Sequence, residues 1–266
     1  MASLPTLFLS HGAPTFAIEP GRGGEALTAA VSRLARPKAI LAVSAHWETA
    51  RPAVSGAAAP KTIHDFFGFP KPLYDIRYPA PGAPDLAKRV AELLSTAGHD
   101  IDIDAFRGLD HGAWVPLRHM YPQADIPVAQ LSIQPHLGAA HHLQIGKALA
   151  PLADEGVLIV GSGSITHNLG EFRMLPEDAT ALSYVKDFQD WFAARVAARD
   201  EASLVRYREL APSAVRAHPT EDHILPFHVA LGAAAGAERH ERLHAGVTFG
   251  VIGMDDYAFG AERLAA

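Results

Sequence analysis

A chain of 266 residues with 48% hydrophobic and 20% charged residues carries enough apolar side chain for one large core, which excludes an intrinsically disordered protein. Its net charge of −6 offers no basic field to collect phosphates, so nucleic acid is not an expected partner. The absence of cysteine excludes disulfides, iron–sulfur ligation, thiolate zinc and cysteine nucleophiles, leaving histidine and carboxylate as metal-binding and proton-moving groups.

In chain order, a short apolar strand over Thr6–Ser10 precedes a helix over 25–35 and a strand over 39–45. Residues 51–84 are rich in Pro, Gly and aromatics (Phe66, Phe67, Phe69, Tyr74 and Tyr78 among them), the composition of a functional or packing loop draped over a domain. A helix over 84–97 has the clearest pattern, with Leu86, Val90, Leu93 and Leu94 on one stripe and Gly98 as its stop. Strands over 127–133, 157–161 and 247–252 and helices over 139–153, 179–199 and 221–235 complete the series. Strands apolar on both faces that alternate with helices predict one α/β domain spanning 1–266, with a mostly parallel central sheet flanked by helices. No apolar run approaches the ~20 residues of a spanning helix, and the N-terminus lacks a basic start and a small-residue cleavage site. A cytoplasmic protein without membrane contact is therefore expected.

Of the 15 histidines, three follow apolar strands. His11 follows Leu7–Ser10, His46 ends the run from Ile40, and His167 comes just after Val157–Val160 and the small-residue turn Gly161-Ser162-Gly163-Ser164. Ligands in open α/β sheets bind outside the carboxyl ends of the strands, where residues from separate strands converge. His223, in His218-Pro219-Thr220-Glu221-Asp222-His223, reads as a loop entering a helix. Neutral imidazoles without thiolate suit Zn(II) or non-haem Fe(II), so His11, His46, His167 and His223 are the candidate metal ligands. A strand-end histidine that only bonds neighbouring backbone is the competing reading for any one of them.

Gly108-Leu109-Asp110-His111-Gly112-Ala113-Trp114 places an Asp–His pair in a glycine-flanked loop, where the carboxylate of Asp110 can orient His111 for proton transfer, against an ordinary turn. His64, in the aromatic segment, reaches either a substrate or its own loop. His136, His141, His142, His240 and His244 read as solvated. The Gly161–Ser164 turn lacks the context of a dinucleotide or phosphate loop, and no G-x-S-x-G frame surrounds Ser10, Ser44 or Ser164.

Ser10-His11-Gly12, Ser44-Ala45-His46-Trp47, Thr62-Ile63-His64-Asp65-Phe66, the Gly108–Trp114 segment, Thr166-His167-Asn168 and His218-Pro219-x-x-Asp222-His223-x-x-Pro226 together resemble the motifs of class III extradiol ring-cleavage dioxygenases, most closely the single-subunit DOPA 4,5-dioxygenase-like branch. The resemblance covers nearly the whole chain in order. It implies a non-haem Fe(II) enzyme, or a zinc-occupied relative, that opens a catechol ring beside its two hydroxyls with O₂. It further implies His11 and His46 as the first two ligands, His223 as the third, His167 as a ligand or a base, and His111 as an active-site histidine. Better-known members use two histidines and a carboxylate, whereas an all-histidine set is neutral and more zinc-like.

On this reading His167 or His111 takes a phenolic proton, while His64, Trp47, Phe66 and Asp110 contact substrate and aromatic side chains wall its ring. Core packing is the competing role for those aromatics. Arg77, Arg107 and Lys71 are possible clamps for a ring substituent, and a homodimer is a possible assembly. Two alternatives are a non-enzymatic metal-binding relative and a zinc hydrolase using the same site.

Overall fold

The computed structural model describes residues 3–174 and 180–265. Ten strands occur among them: β1 (Thr6–Ser10), β2 (Ala39–Glu48), β3 (Ala53–Ser55), β4 (Asp102–Asp104), β5 (Val128–Ile133), β6 (Val157–Gly163), β7 (His240–His244), β8 (Val247–Thr248), β9 (Ile252–Gly253) and β10 (Asp256–Phe259). Eight form one sheet in the order β4-β3-β5-β2-β6-β1-β10-β7. Its middle four, β5, β2, β6 and β1, run parallel, whereas β10 and β7 add antiparallel on one side and β3 pairs antiparallel with β5 on the other. The architecture is the expected α/β domain with helices flanking a central sheet.

The middle strands are apolar on both faces because both faces are covered. Leu7, Phe8, Leu9, Ile40, Leu41, Val43, Leu158 and Ile159 are all fully buried. Helix Pro84–Thr96 turns Leu86, Ala87, Val90 and Leu94 inward and ends where Gly98 adopts φ +85°. Helix Leu225–Ala233 is buried at every residue, so it has no polar face and reads as core throughout.

The structure departs from the expected elements in several places. Strand β2 runs on through Glu48 and β6 through Gly163, so His46 lies inside a strand rather than after one. The expected strand over 247–252 is a hairpin of β8 and β9 turned at Phe249 and Gly250, both at positive φ. The last two strands of the main sheet on that side are β10 and, at the edge, β7, whose polar residues (Asp256 and the charged His240–His244) disguise them as loop. The 108–114 segment is no loop: Asp110 caps helix His111–Met120, accepting from the Ala113 N–H. An internal Pro116 hides that helix from periodicity. Helix 221–235 shortens to Leu225–Ala233, which leaves His223 in the preceding turn, and the first residue of the 179–199 expectation lies outside the described residues.

No helix among the described residues is long and apolar enough to cross a membrane.

Candidate metal centre

Registers across the middle strands bring the site together. Ser10 pairs with Gly163 and Ser44 with Ser162, so the carboxyl ends of β1, β2 and β6 lie at one level. His11 leaves β1 there, and His46 projects from β2. The turn bearing His223 sits on β6, where the Ser164 N–H bonds the His223 carbonyl at 3.0 Å. This approach needs Gly163, because a Cβ there would overlap the His223 carbonyl. The small-residue stretch Gly161–Ser164 therefore admits a neighbouring chain, not a phosphate.

Five imidazoles gather at this point. Ring centroids are 4.9 Å apart for His11–His46, 5.4 Å for His11–His223, 4.9 Å for His46–His223 and 3.9 Å for His46–His111. His167 stacks on His223 at 3.4 Å with its plane tilted by 11°. One nitrogen from each of His11, His46 and His223 falls within a common 4.8 Å.

The local hydrogen bonds fix which nitrogens face inward. Pro116 has no N–H, so the Gly112 carbonyl one helical turn before it is free and accepts instead from the Ser162 hydroxyl. Having donated its proton there, Ser162 Oγ accepts from His11 Nδ1 at 2.9 Å. The His11 proton is thereby held on Nδ1 and the lone pair on Nε2, which lies 2.9 Å from His46 Nε2. His223 donates through Nδ1 to the Asp222 carboxylate, again leaving its other nitrogen for the centre. His111 donates through Nδ1 to Asp65 Oδ2 at 2.9 Å, and its backbone N–H bonds Asp65 Oδ1 at 2.9 Å.

Burial holds four of these rings, His11, His46, His167 and His223, below the usual imidazole range. Desolvation, then repulsion from His46 and His111, holds His11 well below the usual imidazole range, and burial with His167 and His46 does the same to His223. His46 is lowered by burial and by His111. His167 is brought to about 4 by burial, against an opposing pull from Asp222. Burial would raise Asp65, but its bonds from His111 outweigh this and hold it ionised, at about 2.

Clustered imidazoles, with His11 and His223 backed by a hydroxyl and a carboxylate on their far nitrogens and His46 Nδ1 3.6 Å from the Asp65 carboxylate, have the donor chemistry of a non-haem metal site. Metal–nitrogen bonds of about 2.1 Å place neighbouring ligands at roughly the His11–His46 nitrogen separation. His11, His46 and His223 thus fit a metal ion.

The other expected residues separate into groups. Phe66 meets the His111 ring edge-on at 5.7 Å and lies at the site. His64 sits behind it, 5.7 Å from Phe66 and bonded to the Ile76 carbonyl at 3.1 Å, so it braces its own loop. Trp47 is buried beneath the Arg107 guanidinium at 4.9 Å and makes no ring contact with the five histidines. Asp110 is removed from the substrate-facing set: it is fully buried and bonded to Ser44, Arg107 and Gln130. The carboxylate that orients His111 is Asp65, next to His64 in the aromatic segment and spatially opposite His111. Of the possible clamps, Arg107 is committed to Asp110 and Arg77 to the carbonyls of Tyr74 and Ile76. His142, expected in solvent, is buried, bonding the Gly138 carbonyl and the Gln134 N–H.

Residues 5–260 match the family model described as the catalytic LigB subunit of aromatic ring-opening dioxygenase. The chain belongs to this family. It is 42% identical over 264 residues to a 4,5-DOPA dioxygenase extradiol of Beta vulgaris, covering 96% of each chain, and 39% identical to one of Escherichia coli, covering 94% of this chain and 93% of the relative. A solved structure of an uncharacterized Escherichia coli K12 protein superposes with a TM-score of 0.81 at 33% identity, over 97% of this chain and all of the other. This LigB-family member is an extradiol ring-cleaving dioxygenase, and the histidine cluster at the strand ends is its candidate metal centre.

Proposed function

We propose that the protein opens the ring of a free catechol of the DOPA or caffeate type with O₂, using Fe(II) held by His11, His46 and His223, with the whole chain acting as one catalytic domain. Zn(II) suits the same neutral set and is the ion expected when iron is lost. The observation that carries this reading is the convergence of one nitrogen each from His11, His46 and His223 within 4.8 Å, beside two further histidines, His111 and His167.

When bound, Fe(II) supplies a site at which catecholate and dioxygen meet and exchange charge. The protein's own contribution is proton handling and enclosure. Asp65 keeps the His111 proton on Nδ1, so the opposite nitrogen is the one that takes a phenolic proton, and the ionised carboxylate stabilises the imidazolium that results. His167, neutral at physiological pH and stacked on His223, is a second acceptor on the other side of the cluster. We assign it to proton transfer rather than to ligation because its nitrogens gather with Asp222 and His223 but not with the His11–His46–His223 set, and its ring stacks on His223. Phe66 supplies a flat apolar wall for the ring.

The test is anaerobic reconstitution with Fe(II), followed by DOPA, caffeate and other catechols in aerated buffer. Consumption of O₂ and catechol in equal amounts with appearance of a yellow semialdehyde is expected. Iron-loaded protein that turns over no catechol in the panel refutes the reading.

A further inference from the structure

Asp110 is buried with no exposure at all, yet it carries a carboxylate through which two site histidines are connected. On one side its Oδ1 accepts from the Ser44 hydroxyl at 2.6 Å, and Ser44 Oγ in turn accepts the His46 backbone N–H at 3.1 Å. On the other side it is the capping residue immediately before His111 and accepts the Ala113 N–H at 3.3 Å, which fixes the first turn of helix His111–Met120. Its Oδ2 is held by Arg107 at 2.6 Å and by the Gln130 amide. Gln130 belongs to β5, and its Oε1 accepts from the Asp110 N–H at 3.3 Å. Arg107 also reaches the His46 carbonyl at 3.5 Å.

The space between the two histidine-bearing segments is closed. A Cβ on Gly112 would overlap Ser44 Oγ and come within 3.0 Å of the His46 ring, so the first turn of the helix rests directly on β2. With no slack there, a displacement of Asp110 passes to His46 through Ser44 and to His111 through the helix cap. Asp110 itself touches neither substrate space nor any inward-facing histidine nitrogen.

We propose that Asp110 is a positioning residue whose buried carboxylate sets the mutual register of His46 and His111, acting on the former through Ser44. The inference rests on the reading of His46 as a metal ligand. Its consequence is that metal affinity depends on a carboxylate that contacts no metal.

The test uses the full chain and Co(II) as the probe, with affinity measured by competition against a coloured chelator, the Co(II) absorption bands recorded, and Tm followed in parallel. Asp110→Asn keeps the shape but turns an amide N–H toward partners that are themselves donors. Ser44→Ala cuts only the link to His46 and leaves the Asp110–Arg107 pair intact. Val90→Ala, in the core on helix Pro84–Thr96, is a control for loss of stability. Ser44→Ala is expected to weaken Co(II) roughly 10-fold and Asp110→Asn roughly 100-fold, with altered Co(II) bands, while Val90→Ala lowers Tm and leaves affinity unchanged. Wild-type affinity and bands in Ser44→Ala and Asp110→Asn overturn the proposal, as does weakening in all three variants in proportion to lost Tm. Should Asp110→Asn not fold, Ser44→Ala decides by the same criterion. Failure of wild-type protein to bind Co(II) would instead overturn the metal reading beneath it, so the two failures are distinguishable.

Discussion

Replacing Ser162 by alanine removes one hydroxyl and breaks two bonds at once. The Gly112 carbonyl, which Pro116 deprives of its helical partner, loses its donor, and His11 Nδ1 loses its acceptor. Ser162 is fully buried, and each orphaned group costs about 1–3 kcal/mol when no water replaces the partner. A loss of about 2–4 kcal/mol is therefore expected, near the upper end for single substitutions, and corresponds to a fall in Tm on the order of 10 °C for a domain of this size. The second effect is on the tautomer. Without Ser162, nothing holds the His11 proton on Nδ1, and the alternative tautomer places an N–H toward His46 Nε2 where a lone pair is required. Loss of such an outer partner weakens metal binding by about 10–100-fold. Chelator competition with Co(II) or Zn(II) measures this, and ¹⁵N chemical shifts of the His11 ring in metal-free protein report the tautomer directly. Ser164→Ala, removing a buried hydroxyl that bonds only its neighbour's carbonyl, serves as control. Unchanged metal affinity and an unchanged His11 tautomer in Ser162→Ala would refute the chain of reasoning from Pro116 to the metal centre.

Asp65→Asn removes the charge that stabilises a protonated His111, and kcat on catechol is expected to fall roughly 10²-fold with little change in KM; steady-state kinetics showing full kcat would remove His111 from the proton path. Gly163→Ala forces the His223 backbone away from β6, so kcat/KM and Co(II) affinity are expected to drop together, the former roughly 10²-fold, and a variant with normal values would show that this contact does not place His223. His142, in helix Gly138–Leu149, is lowered to about 3 by burial, opposed by its bond to Gly138. The unfolded chain takes up this proton near pH 6.5 and the folded chain only near 3, so stability present above pH 6.5 declines as pH falls through that window, by up to about 1.4 kcal/mol per pH unit. Urea unfolding of metal-free His142→Gln between pH 7 and 5 should show a shallower decline than the parent; an identical slope contradicts a neutral buried His142.

The histidines were legible for a physical reason: a parallel sheet delivers its strand ends to one side, so imidazoles just after apolar runs meet there whatever the intervening chain does. His11 and His46 both stand in this position, and the short apolar strands mark the middle of the sheet. Helix Pro84–Thr96 was legible too, since a half-buried helix must display its stripe. The edge strand β7 and its neighbour β10 were not, because the partial exposure of β7 and the buried Asp256 of β10 erase the alternation on which a strand is recognised. Helix His111–Met120 was hidden by Pro116, whose missing N–H is an asset only when Ser162 stands beside the freed carbonyl.

What the sequence by itself determined is the chemistry available: a cysteine-free α/β protein whose metal-binding groups are histidine and carboxylate, with histidines gathered after apolar strands. Tertiary structure alone decided which polar neighbour serves which histidine. Asp110, adjacent to His111 in the chain, turns away into the core toward Ser44, Arg107 and Gln130, while Asp65, 46 residues earlier, holds the His111 ring. Adjacent residues at a helix start point in different directions, and hydrogen bonds form between groups that packing brings within about 3 Å, so partnership follows the fold and not the order of residues.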